Sequence, residues 1–247
     1  MKIGKIIIAA LFLLFVCSLY ASEIPCHVAT IPRPQTKSTD DHKGWWMQRF
    51  IRKSQSAKNG DIDLVFIGDS ITQRWEDKGK DIWEEYYLKR KSLNLGFSSD
   101  RTEHVIWRLQ NGNFDGINPK LVILMIGTNN TGHRMDNPAI IADGIKLIIE
   151  NIHMRSPRTK ILLLGIFPRG KTAKNARRKN NEKVNKIIKN YPNEYEFVHY
   201  MDISKNFLNE DGSLSREIMY DLLHLTSKGY AIWAEAIEQK VKELLNE

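Results

Sequence analysis

Short apolar runs rich in β-branched residues alternate along this chain with longer stretches in which apolar positions return every three or four residues. The runs have the pattern of strands buried on both faces and the longer stretches that of amphipathic helices. Their alternation predicts a parallel sheet covered by helices. Strands are expected at 64–67, 92–94, 121–126, 160–166 and 196–199, and helices at 45–57, 82–88, 102–110, 138–154, 175–190 and 227–245. The last helix is the best defined, because Thr226 stands in the capping position and Tyr230, Trp233, Ile237, Val241 and Leu244 form one stripe. Without an internal repeat or a second composition regime, one three-layer α/β/α sandwich with a five-stranded parallel sheet is expected over 44–247.

The most apolar stretch, 6–16, fits neither pattern. Lys2 and Lys5 precede it and the small residues Ser18, Ala21 and Ser22 follow it, the layout of a secretory signal peptide over 1–21. A bilayer-spanning helix needs about 20 apolar residues, so an anchor fits less well, and no membrane span is expected after signal removal. A lipoprotein site at Cys17 also fits less well, since Val16 precedes it. A secreted or periplasmic location follows. Residues 22–43 carry Pro25, Pro32 and Pro34 among Thr and Ser and read as a flexible lead-in. Cleavage after Ala21 leaves Cys26 as the single thiol, so an apolar core rather than a disulfide must hold the domain.

Composition adds limits. Of 247 residues, 42% are apolar and 27% charged, which excludes a disordered or fibrous chain. The formal charge of +8 falls to +6 when Lys2 and Lys5 leave with the signal. Nine basic residues and one acid, Glu182, lie within 169–189. Such a run can hold an anionic polymer or lipid headgroups, but Val184, Ile187 and Ile188 give it an apolar stripe and no aromatic residue interleaves with the charges. A solvated helix face is the better reading, with no nucleic-acid partner.

Ligand sites in such sheets lie outside the carboxyl ends of the strands. Ser70 follows the strand at 64–67, with Gly68 permitting a tight turn, so its hydroxyl can be exposed and its N–H free, as an acyl-transfer nucleophile requires. The alternative is that Ser70 caps the helix after it. Gly-x-Ser-x-Gly is absent, because Thr72 stands at the fifth position, which disfavours the usual lipase elbow. Among the seven histidines, His224 has a carboxylate, Asp221, three residues before it; Asp221 can orient the ring while its other nitrogen faces Ser70. A pair that merely caps the last helix is the alternative. His27 and His42 fall in the lead-in, His153 and His199 at surfaces or strand edges, and His104 and His133 where they could line a cleft. A tetrahedral oxyanion needs fixed donors; Gly96 and Asn129 follow the second and third strands and can supply them, or can be ordinary turn residues.

Metal and phosphate motifs are missing. The sequon Asn129-Asn130-Thr131 is a chance match, since a glycan there would block the oxyanion donor. Most of the six tryptophans read as core, with Trp75 expected near the mouth of the site.

The blocks Phe66-Ile67-Gly68-Asp69-Ser70-Ile71, Asn94-Leu95-Gly96, Gly127-Thr128-Asn129-Asn130 and Asp221-Leu222-Leu223-His224 resemble the four signature blocks of the SGNH (GDSL) hydrolases. Within that superfamily the sequence is most similar to the catalytic subunits of intracellular platelet-activating factor acetylhydrolase. The stretches 104–112, 117–120, 164–170 and 211–213 support this, and the likeness runs from about Trp45 to the C-terminus. The resemblance implies a flavodoxin-like sandwich, Ser70 as nucleophile, His224 as base, Asp221 as its orienter, and an oxyanion hole of the Ser70 and Gly96 N–H groups with Asn129. It also implies an acyl pocket closed by Ile71, Thr128 and Leu223, no metal or organic cofactor, and the dimeric association of the resembled subunits. Arg169, directly after a strand, can reach the cleft. Two departures are the signal peptide and Phe97-Ser98-Ser99, which replaces a glycine-rich stretch.

The expected activity is hydrolysis of a short acyl ester, acetyl first, on an extracellular substrate such as an O-acetylated glycan, with acetylated phospholipid or lysophospholipid behind it. From another class, a non-catalytic module holding a glycan or lipid surface stays open.

Overall fold

The computed structural model describes residues 27–36 and 44–247; the expected signal peptide over 1–21 and both cysteines lie outside the described residues. Five strands, β1 (Leu64–Gly68), β2 (Ser92–Gly96), β3 (Leu121–Met125), β4 (Lys160–Leu164) and β5 (Val198–Met201), form one all-parallel sheet in the order β2-β1-β3-β4-β5. This is the flavodoxin-like order, and winding reverses between β1 and β3, where such sheets bind ligands. Gly68 is level with Gly96 on one side and Met125 on the other, so the loops after β1, β2 and β3 leave the sheet at one edge.

Among the described residues eight α-helices accompany the sheet: α1 (Trp45–Asn59), α2 (Ser70–Gln73), α3 (Lys80–Tyr86), α4 (Thr102–Gln110), α5 (Thr128–Arg134), α6 (Pro138–Arg155), α7 (Ala176–Ile188) and α8 (Ser227–Leu245). Alternation along the strands divides the core. Val65, Ile67, Val122, Leu124, Ile161 and Leu163 meet the buried faces of α4, α6 and α7. Leu64, Phe66, Ile123, Met125, Leu162 and Leu164 meet Trp75, Tyr87 and the stripe of α8. The three-layer sandwich expected from the sequence is therefore present. On α8 the Thr226 hydroxyl accepts from the Gly229 N–H, and Tyr230 donates at 2.6 Å to the Ile71 carbonyl, tying this helix to α2. Val184 and Ile188 of α7 are buried while most of its basic residues stay in solvent. Among the described residues no helix is long and apolar enough to cross a membrane.

Three expectations change. Trp75 is not at the mouth of the site: it is fully buried, 4.5 Å from the Tyr230 ring centroid and 5.0 Å from that of Trp233. The strands expected at 121–126 and 160–166 stop at Met125 and Leu164, because Ile126 and Ile166, although buried, already belong to the loops that build the site. Residues 27–36, placed in the flexible lead-in, are docked on the body. Thr102 donates to the Ala29 carbonyl at 2.9 Å, Arg33 pairs with the buried Glu103 at 3.2 Å, and His27 lies 3.3 Å from Asp143.

A small aromatic cluster of Trp46, Phe50 and Phe97 sits beneath this segment, with the Arg108 guanidinium 3.9 Å from the Phe97 ring centroid. Arg108 also donates at 2.8 Å to the Asp100 carboxylate, both side chains being fully buried. Removing one partner of such a pair strands a buried charge. Arg108→Met is therefore expected to cost about 3–5 kcal/mol in urea unfolding; a loss within about 1 kcal/mol would show that the pair carries little.

Candidate active site

The loop after β1 turns at once into α2, so Ser70 is the first helical residue and its N–H has no helical partner to donate to. Asp69 caps this helix, accepting from the Ile71 N–H at 2.9 Å. The end of β2 clamps it from below. Asn94 donates its amide to the Thr72 carbonyl at 3.0 Å, and Gly96 lies so close that a Cβ there would stand 2.2 Å from the Gln73 nitrogen. Only glycine allows that approach.

The Ser70 hydroxyl lies 2.9 Å from His224 Nε2, and His224 Nδ1 lies 2.7 Å from Asp221 Oδ2. The Asp221–His224 pairing comes from a non-helical turn, with Leu222 in the left-handed region at φ 63°. Asp221 Oδ1 accepts both the Leu223 and His224 N–H groups, fixing the ring's neighbour before the ring itself is considered. Burial opposes ionisation of Asp221, but the hydrogen bonds from His224 outweigh it and hold the carboxyl below its ordinary range.

A cavity of about 330 Å³ opens at this point, lined by Ser70, Ser98, Ser99, Asn129, Leu223 and His224, with Arg74, Gly132, His133 and Arg169 around them. The sequence assigned an oxyanion donor to Gly96. The structure does not bring it there: its N–H donates at 2.8 Å to Asn94 Oδ1, and it does not line the cavity. Ser99 does, three residues on. It sits at φ 64°, in the tight turn closed by the Asp100 N–H on the Phe97 carbonyl. Neither the Ser70 nor the Ser99 N–H has an acceptor among the described residues. A left-handed serine costs roughly 1–2 kcal/mol relative to a glycine, and strain of this kind concentrates at functional sites. The residue escaped the sequence reading because serine carries no mark of a positive φ; the replaced glycine-rich stretch was the one available signal.

Asn129, in the first turn of α5, spends one amide proton on the Asp100 carbonyl at 3.0 Å and keeps the other on the cavity side. Leu223 and Arg169 line the cavity as expected. Ile71 and Thr128 do not: Ile71 packs in the core against α8, and the Thr128 hydroxyl is held by Arg169 and Asn181 at 3.1 and 3.2 Å. Arg169 donates to the Thr128 carbonyl at 2.8 Å and forms no ion pair among the described residues, although the Asp69 and Asp221 charges act on it from farther off. With Arg74, which pairs with Asp77 at 3.6 Å behind it, it places two cations and no carboxylate in the lining. His133 lines the cavity, whereas His104 is buried in α4, where desolvation pushes its pKa down to about 3.

The GDSL-like Lipase/Acylhydrolase family model matches residues 66–232. The chain is 35% identical over 219 residues to platelet-activating factor acetylhydrolase IB subunit alpha2 of Rattus norvegicus, covering 89% of this chain and 92% of that one. It is likewise 35% identical over 202 residues to the alpha1 subunit of Homo sapiens, covering 82% and 85%. Among solved structures, a GDSL-like lipase from Bacteroides thetaiotaomicron superposes with a TM-score of 0.66 at 18% identity, over 79% of this chain and 97% of that one. An acetylxylan esterase from Geobacillus stearothermophilus superposes with 0.59 at 17% identity, over 77% and 97%. These two likenesses speak for the fold.

Beside the cavity, Asp69 is buried next to a second buried carboxylate. Desolvation, with the Asp100 charge adding to it, pushes its pKa up to about 7. The folded protein thus holds a proton that the unfolded chain releases near pH 4, and stability drains away as pH rises from there to about 7. Asp69→Asn keeps the cap and removes the titration. The Tm of this variant minus that of the parent is expected to rise between about pH 5 and about pH 8; a difference independent of pH would refute the burial account.

Proposed function

The chain belongs to the GDSL-like lipase/acylhydrolase family and is an ester hydrolase of that type. We propose that it is a secreted serine esterase removing a short acyl group, acetyl first, from a polar alcohol, with O-acetylated carbohydrate as the leading substrate class. One observation carries the reading: the hydrogen-bonded series Ser70, His224, Asp221 opens onto a small polar cavity beside unspent N–H donors.

Ser70 Oγ attacks the ester carbonyl carbon as His224 Nε2 takes its proton, and Asp221 stabilises the resulting imidazolium. The carbonyl oxygen, now an anion, is received by the Ser70 N–H, the Ser99 N–H and the remaining amide proton of Asn129. Collapse expels the alcohol, which leaves with the proton from His224. Water, deprotonated by the same ring, then attacks the acyl-serine and releases the carboxylic acid.

Acyl length follows from the lining. Leu223 is its one large apolar side chain, so each added methylene forgoes most of the roughly 0.8 kcal/mol that burial against an apolar wall provides. The Ser98 and Ser99 hydroxyls, Arg74 and Arg169 surround the rest and suit a polar alcohol. Arg169, half-buried and in ion-pair contact with no carboxylate among the described residues, adds room for a negative group on that alcohol. The names of the relatives favour acetyl and support a second reading, an acetylated phospholipid or lysophospholipid. Export rests on the run at 6–16 behind Lys2 and Lys5.

Ser70→Ala is expected to lower p-nitrophenyl acetate turnover at least about 10³-fold; unchanged turnover would sink the mechanism. With the parent enzyme, kcat/KM for the acetyl ester should exceed that for the octanoyl ester at least about tenfold, and the reverse order would overturn the short-acyl assignment.

A further inference from the structure

The donor assigned to Ser99 depends on one peptide unit, because the Ser99 N–H and the Ser98 carbonyl belong to the same plane and, in a trans peptide, point to opposite sides. Nothing in the turn itself prevents that plane from rotating. In four-residue turns the two orientations of the central peptide are simply two common turn types. The rotated form would also relieve Ser99 of its left-handed conformation.

What holds the plane comes from outside the body of the fold. Gln35, in the docked segment 27–36, donates its amide at 3.0 Å to the Ser98 carbonyl and at 3.2 Å to Asp100 Oδ1. On the other side of the same turn, Gln73 accepts the Ser98 N–H at 2.7 Å. Gln35 is buried, and its own Oε1 has no partner. Turning the amide over would set that oxygen against a carbonyl and a carboxylate, so the orientation is settled, and an unsatisfied buried acceptor is left behind as its cost.

The body is shaped to receive this segment. Gly144 of α6 lies where a Cβ would come within 2.6 Å of the Thr102 side chain and 2.8 Å of the Ala29 carbonyl oxygen. Any larger residue would push the segment off. The docking surface therefore includes a position that only the smallest residue fills.

We infer that Gln35, carried by the docked segment, is a positioning residue that locks the Ser98–Ser99 peptide with its N–H turned to the cavity. This rests on the oxyanion role proposed for Ser99. Gln35 touches no substrate; it acts through a peptide that does. A hydrogen bond received by the Ser98 carbonyl also polarises the N–H across the plane, strengthening the donor it orients.

The test uses the full chain and p-nitrophenyl acetate. Gln35→Met keeps the length of the side chain and removes the donor; Gln35→Ala serves if the methionine variant does not fold. Arg33→Ala is the control, since it weakens the docked segment at Glu103 without touching Ser98. The expected result for Gln35→Met is a fall in kcat of about 10–100-fold with KM within about twofold, as for loss of part of an oxyanion donor, while Arg33→Ala retains kcat within about twofold. Parental kcat in both Gln35 variants, with Ser70→Ala inactive, would overturn the inference and leave the esterase mechanism standing. Equal losses in the Gln35 and Arg33 variants would also overturn it, by assigning the effect to docking in general. An active Ser70→Ala would instead fail the mechanism itself.

Discussion

A fully buried carboxylate has to be supplied with donors or it will not stay ionised, and that of Asp100 is supplied from three directions, with a fourth contact on its main chain. The Arg108 guanidinium reaches it from α4, the Trp46 indole from α1 at 2.7 Å, Gln35 from the docked segment, and its own main-chain carbonyl takes the amide of Asn129 on α5. Burial still pushes its pKa up to about 6, with Arg108 as the largest opposing influence. The consequence is geometric. The loop after β2 cannot shift without breaking contacts to three helices and the N-terminal segment, so a short connection becomes as fixed as the sheet edge beside it.

That rigidity matters because the site is assembled from pieces far apart in sequence. Ser70 comes from the loop after β1, Ser99 from that after β2, Asn129 from that after β3, and His224 from the turn ahead of α8. Each loop has its own anchor. Asn94 and Gly96 hold α2, Asp100 holds the second loop and Asn129 together, and the main chain of Asp221–His224 is folded around a single carboxylate oxygen. Donors that must meet a transient oxyanion are useful only when their positions are settled beforehand.

Much of this was legible in the chain. The stripe on α8 located both ends of that helix, and the β-branched runs located the four strands buried on both faces; the fifth, expected at 196–199, lies at Val198–Met201, where only Val198 is fully buried and the pattern is weaker. Ser70, His224 and Asp221 were legible as residue types at spacings that one sheet edge can gather, and the structure joins them in one hydrogen-bonded series. Gly96 shows where such reading stops. A glycine after a strand suggests freedom of the backbone, yet this one is needed for what lies against it, the backbone of α2, and its N–H is consumed locally. Ser99 is the converse case: its positive φ is held by the bonds that Gln35 and Gln73 make to the neighbouring Ser98, and none of that is written in a serine. Trp75 and the segment 27–36 were misplaced for a related reason, since proline, threonine and a lone aromatic look the same in a loop whether or not a partner waits for them elsewhere.

The docked segment also has a place in time. Its contacts link His27 to Asp143, Ala29 to Thr102 and Gln35 to Asp100, across sequence separations of 116, 73 and 65 residues. Contacts that distant close late in folding, after the local helices and the first strand pairings have formed. The segment is made before the surface it binds, and α6 must be in place before Gly144 can receive it. A partly folded chain can thus bring Ser70 to His224 while the Ser98–Ser99 peptide is still free to turn, so the two sides of the cavity need not be completed together.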